Sequence, residues 1–197
     1  MKIKNKKSAY DSSVELPPMK AWARIHMPAF FKDSRVQEIW LDEQCVLDLN
    51  QWVMASLSSS PIKEVGGFLL GRSMPGDITS LEHFVPAMAT EFSSPTRLTF
   101  SEADILALDR QLEENPGWCL TGWFHTHPGH TPYLSDIDLS THLGFFRAPY
   151  MVAMVLDPKT ANHDTGMFVQ KRDGQMNNQD DAQQWFLWKK LKPTCEA

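Results

Sequence analysis

The stretch TGWFHTHPGHTPYLSDIDLS, Thr121 to Ser140, reads as a strand, a reversing loop and the start of a helix. Residues i and i+2 of a strand point to the same face, so the spacing of His125 and His127 sets both imidazoles side by side with their nitrogens able to converge. The loop PGHTPYL then turns the chain. Asp138, in the first turn of the helix, comes back over the strand end as a third ligand. Two neutral imidazoles and one carboxylate suit Zn(II), and three protein ligands leave a fourth position for water, the pattern of a catalytic zinc site. Water bound there has its pKa lowered to roughly 7.

Such a centre also needs a group to carry protons and a partner for the developing oxyanion. Glu64, where the segment EVGGFLLGRS begins, is the carboxylate expected to act as general base and acid. Ser135 either donates to the oxyanion or simply caps the helix. Each residue has a plainer reading. A strand histidine is usually hydrogen-bonded or exposed, Ser135-x-x-Asp138 also fits a capping box, and a strand-end glutamate is usually a surface charge. It is the conjunction of the histidine pair, the reversing loop, the first-turn carboxylate and the separate strand glutamate that favours chemistry. His130, in the loop, and His142, four residues beyond Asp138 on the same helical face, are rivals left outside the ligand set.

Outward from this stretch, the chain alternates between strands and helices. A strand near residues 36 to 41 precedes a helix on which Val46, Leu47, Leu49, Trp52, Val53 and Leu57 recur at helical spacing, ended by SSSP. EVGGFLLGRS reads as a buried strand, and its pair Gly66 and Gly67 marks a place where something approaches the backbone closely. ITSLEHFVPAMA alternates as the next strand. Ser101 caps a helix closed by Pro116 and Gly117. WCLTGWFHTH is the central strand, YMVAMVLDP another buried one, and GMFVQKR its hairpin partner. A last helix, DAQQWFLWKKL, presents Trp185, Phe186, Trp188 and Leu191 to the core. The expectation is an α/β fold with one mixed central sheet flanked by helices.

At 197 residues the chain suits a single domain. Residues 1–35 form an extended basic and aromatic N-terminal arm with Trp22, Phe30 and Phe31 packed on the body. The domain proper runs over 36–192, and 193–197 is a tail. The net charge of -5 argues against nucleic acid as main partner. It is uneven: the arm carries +5 and the remainder -10, so the arm is either a solvated tail or a device for docking on an acidic surface. No apolar run approaches the length of a bilayer span, and no signal-like segment follows the basic start, so no membrane partner is expected. Three widely spaced cysteines, Cys45, Cys119 and Cys195, fit a reducing compartment. A cytoplasmic location follows.

The string HTHPGHTPYLSDID resembles the JAMM motif of the MPN+ (JAB-domain) metalloprotease family, and EVGGFLLGR resembles the strand on which that family carries its glutamate. The likeness extends through GWFHTHP, LS-x-x-D and VLDP, over about residues 36–171. It implies the single-domain MPN fold, similar to cytidine deaminases. It also implies one zinc per chain on His125, His127 and Asp138, Glu64 as acid/base and Ser135 as oxyanion donor. With all five positions filled, the ligand-lacking members are a poor analogy. Relatives of this pattern include the proteasome-lid deubiquitinase and the COP9 signalosome deneddylase subunit, which cut after a ubiquitin-like tail. The stretches TEFSSPT and KTANHD are short where those enzymes carry insertions, a compactness that resembles bacterial members encoded with ubiquitin-like conjugation enzymes in antiphage systems. The resemblance therefore implies an isopeptidase or peptidase for a ubiquitin-like C-terminal tail, with E1- and E2-like enzymes as possible partners. The tail is expected to add as a strand near residues 90–99 and to pass beside Gly66 and Gly67. The alternatives are a zinc hydrolase of small peptides or amides, and a non-catalytic scaffold.

Overall fold

The computed structural model describes residues 21–27, 33–57, 63–88, 100–160 and 164–176. The elements run β1 (Ala21–His26), β2 (Glu38–Asp42), α1 (Glu43–Ser56), β3 (Gly66–Gly71), β4 (Ser73–Met74), β5 (Ile78–Leu81), β6 (His83–Pro86), α2 (Glu102–Glu114), β7 (Cys119–Thr126), α3 (Asp136–Phe145), β8 (Val152–Asp157) and β9 (Asp164–Phe168). The mixed α/β class stands, but the strands divide between two sheets. One has the order β1-β2-β5-β4 and the other β6-β3-β7-β8-β9. Both are mixed, with β2 parallel to β5 and β7 parallel to β8. β1 lies inside the segment read as an arm and pairs antiparallel with β2. Phe30, Phe31, the helix expected at DAQQWFLWKKL and the sheet edge expected near residues 90–99 lie outside the described residues.

The five-stranded sheet is covered on both faces, which is why β3 and β8 read as unbroken apolar runs. Leu69, Phe124, Met154 and Leu156 face α1 and pack with its Leu49 and Val53, together with Ile39 and Leu41 of β2. Phe68, Trp123, Ala153 and Val155 face the other way, onto Leu108 of α2 and Phe146 at the end of α3. Asp42 starts α1 by accepting from the Cys45 amide at 3.1 Å. The buried face of α1 is Cys45, Val46, Leu49 and Val53; Leu47, expected on it, is 49% exposed. Ser101 caps α2 in a full capping box with Asp104.

ITSLEHFVPAMA is two strands in two sheets rather than one. β5 joins β2, β6 joins β3, and the chain crosses between sheets at Glu82. The corner is pinned. The Glu82 carboxylate accepts both Arg72 Nε at 2.6 Å and Nη2 at 2.8 Å, and also the Ser80 hydroxyl. The Arg72 amide donates to Ser80 Oγ at 2.7 Å, and the Glu82 amide to the Leu70 carbonyl at 2.8 Å. At Gly67 the close approach is the neighbouring strand: a Cβ there would run into the Val85 carbonyl oxygen of β6 and sit 3.0 Å from the Phe124 ring. What approaches this glycine is the protein's own sheet.

Candidate metal centre

β7 carries Trp123 and His125, and His127 follows directly on its end, so at i, i+2 and i+4 their side chains share the face turned toward α3. The antiparallel register pairs Gly66 with His125, and the Val65 carbonyl accepts the Thr126 amide at 2.9 Å. Carried on, that register brings Glu64 alongside His127. Beyond the strand, the His127 amide bonds the Leu156 carbonyl at 2.8 Å and the chain turns at Gly129, whose φ of +89° suits glycine. Asp157, at the end of β8, pins this loop by accepting from the Gly129 amide at 2.8 Å and the Lys159 amide at 3.0 Å.

The loop delivers Ser135 as the N-cap of α3. Its hydroxyl accepts from the Asp138 amide at 3.2 Å, while Asp138 Oδ2 takes the Ser135 amide at 2.8 Å and the Ser135 hydroxyl at 2.6 Å. The capping-box reading of this pair is therefore realised, and it serves the site as well. It fixes the Asp138 carboxylate with Oδ1 3.4 Å from His125 Nε2 and Oδ2 3.6 Å from His127 Nε2. The two Nε2 atoms are 3.0 Å apart. Zinc bonds of about 2.0–2.1 Å set tetrahedrally give ligand-to-ligand edges of roughly 3.3–3.4 Å. The imidazole pair lies a little inside that length and the two carboxylate contacts, which run to different Asp138 oxygens, lie near it, so the three residues are close enough to converge on such an ion. His125, His127 and Asp138 are all buried, and each offers one ligand atom within 4.8 Å of the others. Glu64 is 5% exposed, with Oε1 3.8 Å from His127 Nε2.

The electrostatics separate the two carboxyl groups. Burial, with the Asp138 charge adding to it, pushes the Glu64 carboxyl up to about 8. Burial acts the same way on Asp138, but its interactions with His125, His127 and Ser135 outweigh it and hold this carboxyl well below the usual range. Burial also lowers the pKa of His125, against the pull of Asp138. Neutral imidazole and ionised Asp138 are the forms that bind a metal, and a Glu64 that titrates near neutrality is suited to passing protons.

His130 is exposed in the loop and stands apart from the cluster. His142 is fully buried on α3, yet its Nδ1 accepts the Trp123 indole N–H at 3.1 Å, behind the ligands rather than among them. Sequence reasoning passed over Trp123, which stacks on the His125 ring, and Tyr133, whose ring meets His127 edge to face at 4.9 Å. The same-face spacing of 123 with 125 was the available signal for the first.

A family model described as prokaryotic homologs of the JAB domain matches residues 48–168. Among curated proteins, the chain is 33% identical over 125 residues to the NAD(+) hydrolase TcpA of Theionarchaea archaeon (strain DG-70-1), covering 61% of this chain and 35% of that protein. It is 40% identical over 106 residues to the AMSH-like protease of Mus musculus, covering 53% and 22% respectively. With COP9 signalosome complex subunit 5 of Saccharomyces cerevisiae (strain S288c) the identity is 31% over 114 residues, covering 51% and 26%. The chain thus spans about a third or less of the length of these three relatives. Among solved structures, the solution structure of protein DSY2949 from Desulfitobacterium hafniense superposes with a TM-score of 0.54 at 22% identity, over 71% of this chain and 88% of that one, a likeness of fold.

Proposed function

The chain belongs to the prokaryotic JAB-domain family, and from that premise we propose that it is a zinc-dependent peptidase or isopeptidase acting at the C-terminal tail of a ubiquitin-like modifier. The observation that carries this reading is the convergence of His125 Nε2, His127 Nε2 and the Asp138 carboxylate, with the buried Glu64 carboxyl 3.8 Å from His127. Similarity to the AMSH-like protease and to COP9 signalosome subunit 5 supports the substrate class. One zinc per chain on the three residues would supply a Lewis acid and lower the pKa of a bound water to roughly 7.

The chain's own residues do the rest. Glu64, whose carboxyl lies 3.8 Å from His127, accepts a proton from the nucleophile and returns it to the leaving amine. Ser135 is the candidate oxyanion donor, but its hydroxyl hydrogen is engaged by Asp138 Oδ2. To serve the substrate it must rotate away, leaving the Ser135 amide to hold Asp138. The partners this reading calls for are the modifier tail, its conjugates and the E1- and E2-like enzymes that attach it, as in bacterial conjugation or antiphage systems, in the cytoplasm. Among the described residues, no helix is long and apolar enough to cross a membrane.

The test pairs zinc stoichiometry with cleavage of a ubiquitin-like protein carrying a C-terminal fusion. Wild type should bind one zinc and cut. His125→Ala should lose both, and Glu64→Gln should keep the zinc while its rate falls by about 10²- to 10⁴-fold. A Glu64→Gln protein that cuts at the wild-type rate would remove the mechanism. Equal rates on short tail peptides and on the folded fusion would move the assignment to a hydrolase of small amides.

A further inference from the structure

His125 has a feature unusual for a metal ligand. Its Nδ1, like that of His127, is buried and finds no hydrogen-bond partner among the described residues. Ligating histidines ordinarily have ring plane and tautomer fixed by a hydrogen bond from that second nitrogen. Here the contact that can fix the plane is aromatic. The Trp123 indole lies flat on the imidazole, with ring centroids 4.6 Å apart and 9° between planes. The indole is itself oriented by the bond from its Nε1 to His142 Nδ1, at 3.1 Å, and lies nearly parallel to Phe146 at 5.4 Å.

His142 is otherwise hard to account for. It is fully buried, its Nε2 has no partner among the described residues, and a leucine would fill the space without burying a half-satisfied polar ring. Its position supplies a reason. His142 sits on α3, one turn beyond Asp138, while Trp123 sits on β7, two residues before His125. The Trp123–His142 bond therefore ties the helix that carries Asp138 to the strand that carries His125 and leads into His127.

We propose that Trp123 and His142 are positioning residues of the metal centre, a cross-brace that fixes the His125 ring plane and the spacing between β7 and α3. This rests on the metal-centre reading above. With the brace intact, His125 Nε2 is held toward Asp138 before any ion arrives, and no ring rotation has to be frozen on binding. Without it, the imidazole turns about its side-chain bonds and the ligand set loses its preorganisation.

The experiment compares wild type, His142→Leu, His142→Asn and Trp123→Leu. Zinc affinity is measured by competition with a chromophoric chelator, alongside the Co(II) ligand-field spectrum and the His125 ring resonances of the metal-free protein. Asn Oδ1 reaches the place of Nδ1 and can accept the indole N–H. His142→Leu should bind zinc about 10- to 100-fold more weakly. It should also shift the Co(II) bands and relieve the ring-current shift that the indole imposes on His125, while His142→Asn restores most of all three. Trp123→Leu should resemble His142→Leu; if it does not fold, the two His142 variants decide. A folded His142→Leu with wild-type affinity and spectrum overturns the proposal, and so does an Asn variant as impaired as the leucine one. If wild type itself binds no metal, the functional reading fails separately, and the His125 resonances still decide: unchanged shifts in His142→Leu overturn the brace.

Discussion

Glu64 and Asp138 are both buried carboxyl groups beside His127, yet their proton affinities are driven in opposite directions, and this has a consequence for stability that activity assays would not reveal. A carboxyl raised from 4.5 to about 8 by folding holds a proton that the unfolded chain releases. Between those two values the native state binds more protons, so the metal-free protein loses stability as pH rises through that window. Glu64→Gln removes this contribution and leaves the others in place. Thermal unfolding of the metal-free proteins should show the wild type losing ground against Glu64→Gln from pH 5 to pH 8; parallel curves would mean that Glu64 is ionised throughout. Adding zinc should shrink the difference, because a neighbouring cation favours the carboxylate. At this scale the clustering of the candidate ligands was legible because strand periodicity converts the sequence distance between His125 and His127 into a spatial one. Asp138 was legible because a helix start after a reversing loop has few places to go. The cap at Ser135 was legible only as one of two alternatives, since a cap and an oxyanion donor use the same hydroxyl. Trp123 was missed because an aromatic on a buried strand reads as core, which it also is.

The elements were mostly readable, and the places where reading failed concern partners rather than secondary structure. Alternation along ITSLEHFVPAMA reports that the chain is extended, but nothing in the period says that Ile78–Leu81 and His83–Pro86 pair with different sheets. Leu47 fits the helical pattern and still faces outward, because the buried stripe of this 14-residue helix is narrower than its apolar residues would cover. The crossing at Glu82 depends on a buried ion pair, and that makes a prediction belonging to the corner. Arg72→Met leaves Glu82, whose side chain is 11% exposed, without its cation and should cost at most about 3–5 kcal/mol of unfolding free energy. Arg72→Met with Glu82→Leu removes the stranded charge, and the double variant should recover much of that loss. Urea unfolding of the three proteins checks the sign of the coupling. If the double variant is as unstable as the sum of its parts, the pair is not what holds the corner. Gly67→Ala should fail for a different reason, overpacking against the Val85 carbonyl, at about 1–3 kcal/mol or more.

For the whole molecule, the question is how far the fold depends on the metal that its site fits. Two apolar clusters, one on each face of the five-stranded sheet, are closed by side chains alone, and the candidate ligands, His125 and His127 at the end of β7 and Asp138 in the first turn of α3, lie outside both. Nothing in that arrangement resembles a small metal-nucleated domain whose core forms only around the ion. The metal-free chain is therefore expected to stay folded, and zinc to add stability by mass action. The gain is about 4 kcal/mol when free zinc is a thousandfold above its dissociation constant. Because the ion would join β7 to α3, that gain belongs to the same contact that the Trp123–His142 bond braces. Chelation should lower the unfolding temperature while leaving the far-ultraviolet circular dichroism and the cooperativity of the transition unchanged. His125→Ala should unfold at one temperature with or without chelator. A wild type that loses its secondary structure on chelation would mean that the two clusters do not sustain the fold by themselves. A wild type whose midpoint ignores both chelator and added zinc would mean that His125, His127 and Asp138, though correctly spaced, do not bind it.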